Sequence, residues 1–267
     1  MNGAVLRASL GAVARTLAIV SLGTGAFFFL ILLSFPSFIG EGGIAAEFFR
    51  EPPRYIEAFL GGSASFVEPS GWLVVGMTHP VILALQTSGA LMIAAGSVAA
   101  ELERGSLELV LTRPVRRSSF LAAKMTASLV AVTVVHLGGL AGVLVARATI
   151  AEVGAIDVTD ALLAILGSMV LFWAFAAVGT LVSAVSSLRG RAVGAGVGII
   201  VASFFLNFLS NLFEGLRWLG YASPFHYFRA GDLVEGRGLA DLWVLVGLGV
   251  AAAFLAFRRF ARRDLTS

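Results

Sequence analysis

Residues 101–124 read ELERGSLELVLTRPVRRSSFLAAK and lie between two long apolar runs. This is the densest charge cluster in a chain of which only 13% of residues are charged. It also reads as a short capped helix. Gly105 breaks any helix that precedes it, Ser106 is a good N-cap, and Glu108 falls in the first turn, where the helix dipole favours an acid. Leu107, Leu109, Val110 and Leu111 supply one or two apolar turns, and Pro114 stops them because it cannot continue the helical hydrogen bonding. Arg113, Arg116, Arg117 and Lys124 follow. A capped helix on a membrane surface, tied at both ends to spanning helices, has the form of a lever for a soluble partner. An ordinary basic loop with an interfacial helix would carry the same pattern.

Outward from this stretch the chain is apolar. With 58% hydrophobic residues and a mean hydropathy of +0.93 over 267 residues, it belongs with integral membrane proteins rather than soluble cores. Six segments approach the roughly 20 residues needed to cross a bilayer core: 17–35, 81–100, 120–146, 161–186, 192–213 and 242–257. The last is short and is expected to begin a few residues earlier. The fold class is therefore all-α, a single six-span transmembrane domain over residues 1–267. Leu6, Leu10, Val13 and Leu17 recur at helical spacing with Arg7 and Arg15 among them, which predicts an amphipathic elbow helix lying in the interface before the first span. The first apolar run is too long for a cleaved signal peptide and lacks a clear small-residue cleavage site. The absence of cysteine excludes disulfides and thiolate metal sites. A pI near 9.9 suits nucleic acid in principle, but the charges flank apolar runs instead of forming one basic face, so a lipid bilayer is the expected partner and nucleic acid is not.

If the N-terminus is cytoplasmic, the inner segments hold 13 of the 19 basic residues, and the outer loops hold 6 beside 12 of the 16 acids. The positive-inside bias thus places both termini in the cytoplasm. The outer segment 36–71 carries five glutamates and a Pro52-Pro53 break, with a short helix expected around 55–60. It reads as a solvated periplasmic loop, recruitment of a cation being the alternative. In 213–241, Trp218, Tyr221, Phe225, Tyr227 and Phe228 suit the headgroup layer, and a re-entrant or surface-lying hairpin is expected there. No internal repeat supports an inverted-repeat transporter.

Missing motifs narrow the mechanism. A P-loop needs glycine-rich amides and a Lys-Ser or Lys-Thr pair, whereas the only lysine, Lys124, is followed by Met125. No soluble stretch reaches the roughly 50 residues of a domain. The span interiors contain no Asp, Glu, Lys or Arg, and His136 is their one titratable group. A lone membrane histidine either hydrogen-bonds a neighbouring helix or relays protons. With neither a motor nor an ion-coupling carboxylate in the chain, energy is expected from a separate ATPase. His79, His136 and His226 stand in unrelated contexts, without a His-Glu-x-x-His helix or a serine nucleophile frame, so neither catalytic nor metal-ligating residues are predicted.

The pattern Glu101-x-Glu103-x-Gly105-Ser106-Leu107-Glu108, then Pro114-Val115-x-Arg117, then Lys124, resembles the signature of ABC-2 type permeases. These are the membrane subunits of type-2 ABC exporters, in which the segment between the second and third spans carries a coupling helix that contacts the ATPase. Tyr221-x-Ser223-Pro224-Phe225-His226-Tyr227 and Arg262-Arg263-Asp264-Leu265 are also similar to the family. The resemblance implies an ATP-driven exporter permease of a bacterial or archaeal cell membrane, with ATPase-coupling residues Glu101, Glu103, Gly105, Ser106, Leu107, Glu108, Leu109, Pro114 and Arg117. It also implies a homodimer, or a heterodimer with a similar permease. No cofactor would bind this chain, because ATP and Mg would sit on the partner ATPase.

Two further features come from the residues themselves. Ser203, Asn207, Ser210 and Asn211 fall at i, i+4, i+7 and i+8, a polar stripe that either glues helices or lines a substrate path. Gly190, Gly194 and Gly198, like Gly138 and Gly142, permit close helix approach. Two other function classes remain: a non-transporting anchor or scaffold that binds a cytoplasmic protein through the same loop, and a stand-alone secondary transporter.

Overall fold

A computed structural model of the chain describes residues 2–39, 45–60, 65–105 and 116–263. Among them every regular element is helical and there is no strand. Apolar runs of this length leave the backbone no partner in hydrocarbon other than itself, which selects helices.

The first helix, α1 (Gly3–Ile39), has 37 residues, or about 55 Å, longer than the ~45 Å of a whole bilayer. The separate elbow expected near the N-terminus is absent, and its residues form the first turns of α1. Leu6, Leu10 and Val13 pack against a cluster of Leu17, Val20, Ile93, Ala127, Ala131 and Val135. The amphipathic face is therefore covered by neighbouring helices, and with no proline before Pro36 nothing breaks the helix.

Three short helices follow: α2 (Ala46–Arg50), α3 (Arg54–Leu60) and α4 (Pro69–Thr78). The Trp72 indole N–H donates to the Ile31 carbonyl at 2.7 Å and ties α4 to α1. Next comes α5 (Pro80–Ala94), bent 57° from α4 at His79. The cause is local: the residue before a proline is pushed out of the α region, His79 sits at φ −64, ψ 135, and its ring Nδ1 accepts from the Val81 amide at 3.2 Å to start the new helix.

The segment predicted as one span over 81–100 is not continuous. Helix α5 ends at Ala94, turns through 95–98, and resumes as α6 (Ala99–Glu103). Fifteen residues reach only about 22 Å, short of the ~30 Å bilayer core. Among the described residues five helices are long and apolar enough to cross a membrane, and the bent pair α4–α5 makes a sixth when taken as one span.

The remaining long helices are α7 (Arg117–Thr149), α8 (Val158–Val185) and α9 (Arg189–Leu212). Asp157 caps α8, its side chain accepting from the Thr159 amide at 2.6 Å. Two small helices, α10 (Arg217–Gly220) and α11 (Ala230–Leu233), precede α12 (Leu242–Ala261). The last predicted span, 242–257, is lengthened at both ends, by a 3-10 turn at Leu239–Asp241 and by a further helical turn to Ala261.

Helix α8 is the most buried of the spans. It carries Phe172 and Phe175 into a core that also takes Phe28 of α1 and Leu73 of α4. Helices α1 and α7 meet backbone to backbone: a Cβ on Gly25 would lie 2.6 Å from the Gly138 carbonyl oxygen, and one on Gly142 would overlap the Gly25 carbonyl. The Gly138 and Gly142 pair thus serves a contact within one chain. Gly190, Gly194 and Gly198 have open space where a side chain would stand.

Candidate functional site

At the end of the bundle where α6 finishes and α7 begins, charged side chains bind several helices together. The break before α6 leaves the Val98 and Ala99 amides without helical partners, and both donate to Ser183 Oγ of α8, at 3.1 and 3.0 Å. A serine on a neighbouring helix does the work of an N-cap. This fixes α6 so that Glu101 meets Lys124 of α7 at 2.8 Å, with both side chains more than four-fifths buried. The Lys124 ammonium also stands 5.5 Å from the centre of the Phe120 ring. Glu103 Oε2 accepts from the Arg189 amide at 2.8 Å, placing a carboxylate on the positive N-terminal end of α9.

Gly105 then takes φ +67 and donates its amide to the Leu102 carbonyl at 3.0 Å, closing α6 with a left-handed residue. Ser106, Leu107, Glu108, Leu109 and Pro114, and with them the expected coupling helix, lie outside the described residues. On the far side, Arg117 Nη1 donates to the Arg263 carbonyl at 2.7 Å. Arg263 Nη1 in turn donates to the Ala184 and Ser186 carbonyls at 2.7 and 2.9 Å. These are terminal acceptors of α8, where a cation also favours the helix dipole. The described residues on either side of 106–115 are thus held by α7, α8, α9 and the residues that follow α12. Beside the Glu101–Lys124 pair, a 340 Å³ cavity opens between α1, α5 and α7.

The structure divides the polar stripe of α9. Ser203 and Ser210 are buried. The Ser203 carbonyl accepts from Ser223 Oγ at 2.6 Å, and Ser210 Oγ donates to the Asn207 carbonyl at 2.8 Å. Asn211 Nδ2 reaches the Ala58 carbonyl of α3 at 3.4 Å. Asn207 is half-buried, and its side chain has no hydrogen bond among the described residues. An apolar groove of 510 Å³ runs between α5 and α9, with Leu83, Thr87, Val197, Val201 and Phe204 along it. At the opposite end of the bundle from the charged cluster, Arg54, Glu57, Asn211, Arg217, Tyr221 and His226 surround a 440 Å³ pocket. Partial burial, and then the nearby Arg229, hold the His226 imidazole below its usual 6.5.

The family model described as ABC-2 family transporter protein matches residues 16–265. The chain belongs to the ABC-2 transporter family. No match was found among curated proteins. It is a multi-pass membrane protein and the membrane domain of an ABC-2 transporter. Several residues that organise its charged end had no signal in the sequence. Ser183 sits in an apolar span 85 positions from the Val98 amide it caps, and no spacing rule links the two. Arg189 and Arg263 are visible as positive flanking charge, but their partners are set only by how the helices meet. His136 is buried between α7 and α8, with its Nε2 3.2 Å from Ser168 Oγ, a contact between helices. Gln86 of α5 is 1% exposed, and neither amide atom has a partner among the described residues.

Proposed function

We propose that this chain is the permease subunit of an ATP-driven exporter and that residues 101–117 couple it to a separate ATPase. Membership of the ABC-2 family supports an ATPase partner in general terms. The observation that carries the specific reading is the anchorage of the described residues on both sides of 106–115. Glu101 and Glu103 fasten the leading side to Lys124 of α7 and the start of α9, while Arg117 fastens the trailing side to Arg263 and, through it, to α8. A push on this region from the aqueous side would be delivered to α7, α8 and α9 at once. ATP hydrolysis resides on the partner in this reading, and ATP and Mg bind there.

In this reading the charged end and both termini face the cytoplasm of a cell membrane, which the excess of basic residues in the segments that share this end supports. A second permease, identical or similar, completes the pore. The substrate path runs along α9 past Asn207 and the groove between α5 and α9.

Coupling is tested on the assembled complex with two variants. Leu109→Asp removes an apolar contact surface of the predicted lever. Gly105→Pro forbids the positive φ that turns the chain into it, since proline is locked near −65°. Both are expected to abolish transporter-stimulated ATP hydrolysis while the permease still inserts in the membrane. Survival of ATPase co-purification and turnover in both variants would overturn the coupling role.

A further inference from the structure

The end of α12 carries a second basic cluster with a different use. Arg258, Arg259, Arg262 and Arg263 surround a cavity of about 600 Å³ beside the C-terminal end of α8. Two of the four are engaged: Arg263 in the α8 carbonyls, and Arg258 over the Phe254 ring, 5.7 Å from its centre. Arg259 and Arg262 are exposed and make no hydrogen bond or ion pair among the described residues. Among the described residues no Asp or Glu lines the cavity. Its remaining wall is apolar, with Val185 57% and Leu255 46% exposed.

Position narrows the ligand further. Helix α12 has 20 residues and is about 30 Å long, matching the hydrocarbon core, so its last turn stands at the level of lipid phosphates. Arg259 and Arg262 lie four and seven residues beyond Leu255, and Leu248 lies seven before it, so all four share one face. An exposed apolar stripe therefore runs along the helix and ends on two guanidiniums that have no partner among the described residues. A soluble protein would meet the arginines and leave the stripe uncovered. A phospholipid covers both.

We propose that this cavity binds an anionic phospholipid, Arg259 and Arg262 holding its phosphate diester and an acyl chain lying on Leu255 and Val185. Basic pockets between transmembrane helices at a membrane surface have this chemistry, and a guanidinium fork suits phosphate oxygens. The assignment rests on neither the transport reading nor the orientation of the chain.

The test uses the full-length protein in detergent micelles doped with dioleoyl phosphatidylglycerol or dioleoyl phosphatidylcholine, with retained lipid counted by native mass spectrometry. Preferential retention of phosphatidylglycerol is expected. Replacing both arginines, R259Q/R262Q, should weaken that preference by about thirtyfold without changing phosphatidylcholine. If the charge loss disturbs insertion, Leu255→Glu keeps every arginine and sets a carboxylate against the phosphate, and it should weaken the same lipid selectively. Equal retention of the two lipids by the unmodified protein overturns the proposal. So does unchanged phosphatidylglycerol binding in either variant, including the case where the variant loses a soluble protein partner instead. Competition by glycerol 3-phosphate as effective as that by the intact lipid would assign the site to a free phosphate ester and overturn the lipid assignment.

Discussion

Ser183 illustrates how much can rest on one small side chain. Its hydroxyl serves two buried amides where the second apolar segment breaks, and those amides position Glu101 and Glu103. Truncation leaves both donors without a partner in a dry environment. An orphaned buried amide costs about 1–3 kcal/mol, and loss of an N-cap is of similar size. Ser183→Ala is expected to lower stability by about that amount, read as a reduced thermal midpoint in detergent. An unchanged midpoint would mean that the turn at 95–98 does not depend on this cap. Gly25 and Gly142 act at the same scale by omission, since any side chain there would separate α1 from α7.

At the scale of elements, α9 combines two kinds of surface. Its buried face holds Ser203 and Ser210, and Ser203 is bonded to the loop after α10. Asn211 holds α3. Half-buried Asn207 has no such contact among the described residues, beside a groove shared with α5. An amide at membrane depth needs a polar partner or water, so the proposal that α9 lines a substrate path or meets a second permease falls on Asn207. Asn207→Leu separates the two roles. A residue of the path alters transport or substrate preference with assembly preserved. An interface residue weakens the dimer, by about 0.5–2 kcal/mol for one membrane hydrogen bond. Dimer stability and transport measured on the same variant distinguish these, and a variant normal in both removes the residue from either role.

Over the whole molecule, the structure gathers charge at two ends. Residues 101–105, 116–124, 186–191 and 258–263 share one end through the contacts of Glu103, Arg117 and Arg263. Arg54 of α3 and Glu214, in a 3-10 turn after α9, pair at the other, at 3.3 Å. The first group is rich in arginine and the second holds most of the acids, which under the positive-inside rule supports the proposal that the first faces the cytoplasm. A chain without cysteine makes the check clean. A cysteine replacing exposed Glu152 is expected to react with an impermeant thiol reagent added to intact cells, and one replacing exposed Ser118 is not. The reverse labelling would invert the assignment.

The sequence by itself determined the class of this protein. Uncharged apolar runs can satisfy their backbone in lipid only as helices, so the all-helical membrane fold and the approximate centres of its long helices are legible from composition. So is the family, through the motif that opens at Glu101. Only the tertiary structure decided the rest. Leu6, Leu10 and Val13 have the pattern of an interfacial helix, yet α5 and α7 cover them and make α1 continuous. The run over 81–100 has the hydropathy of one span, yet it breaks after Ala94 because Ser183 of another helix can stabilise the break. Hydropathy counts residues along one segment and carries no information about a partner 85 positions away, and such partners decide where a helix bends, stops and is capped.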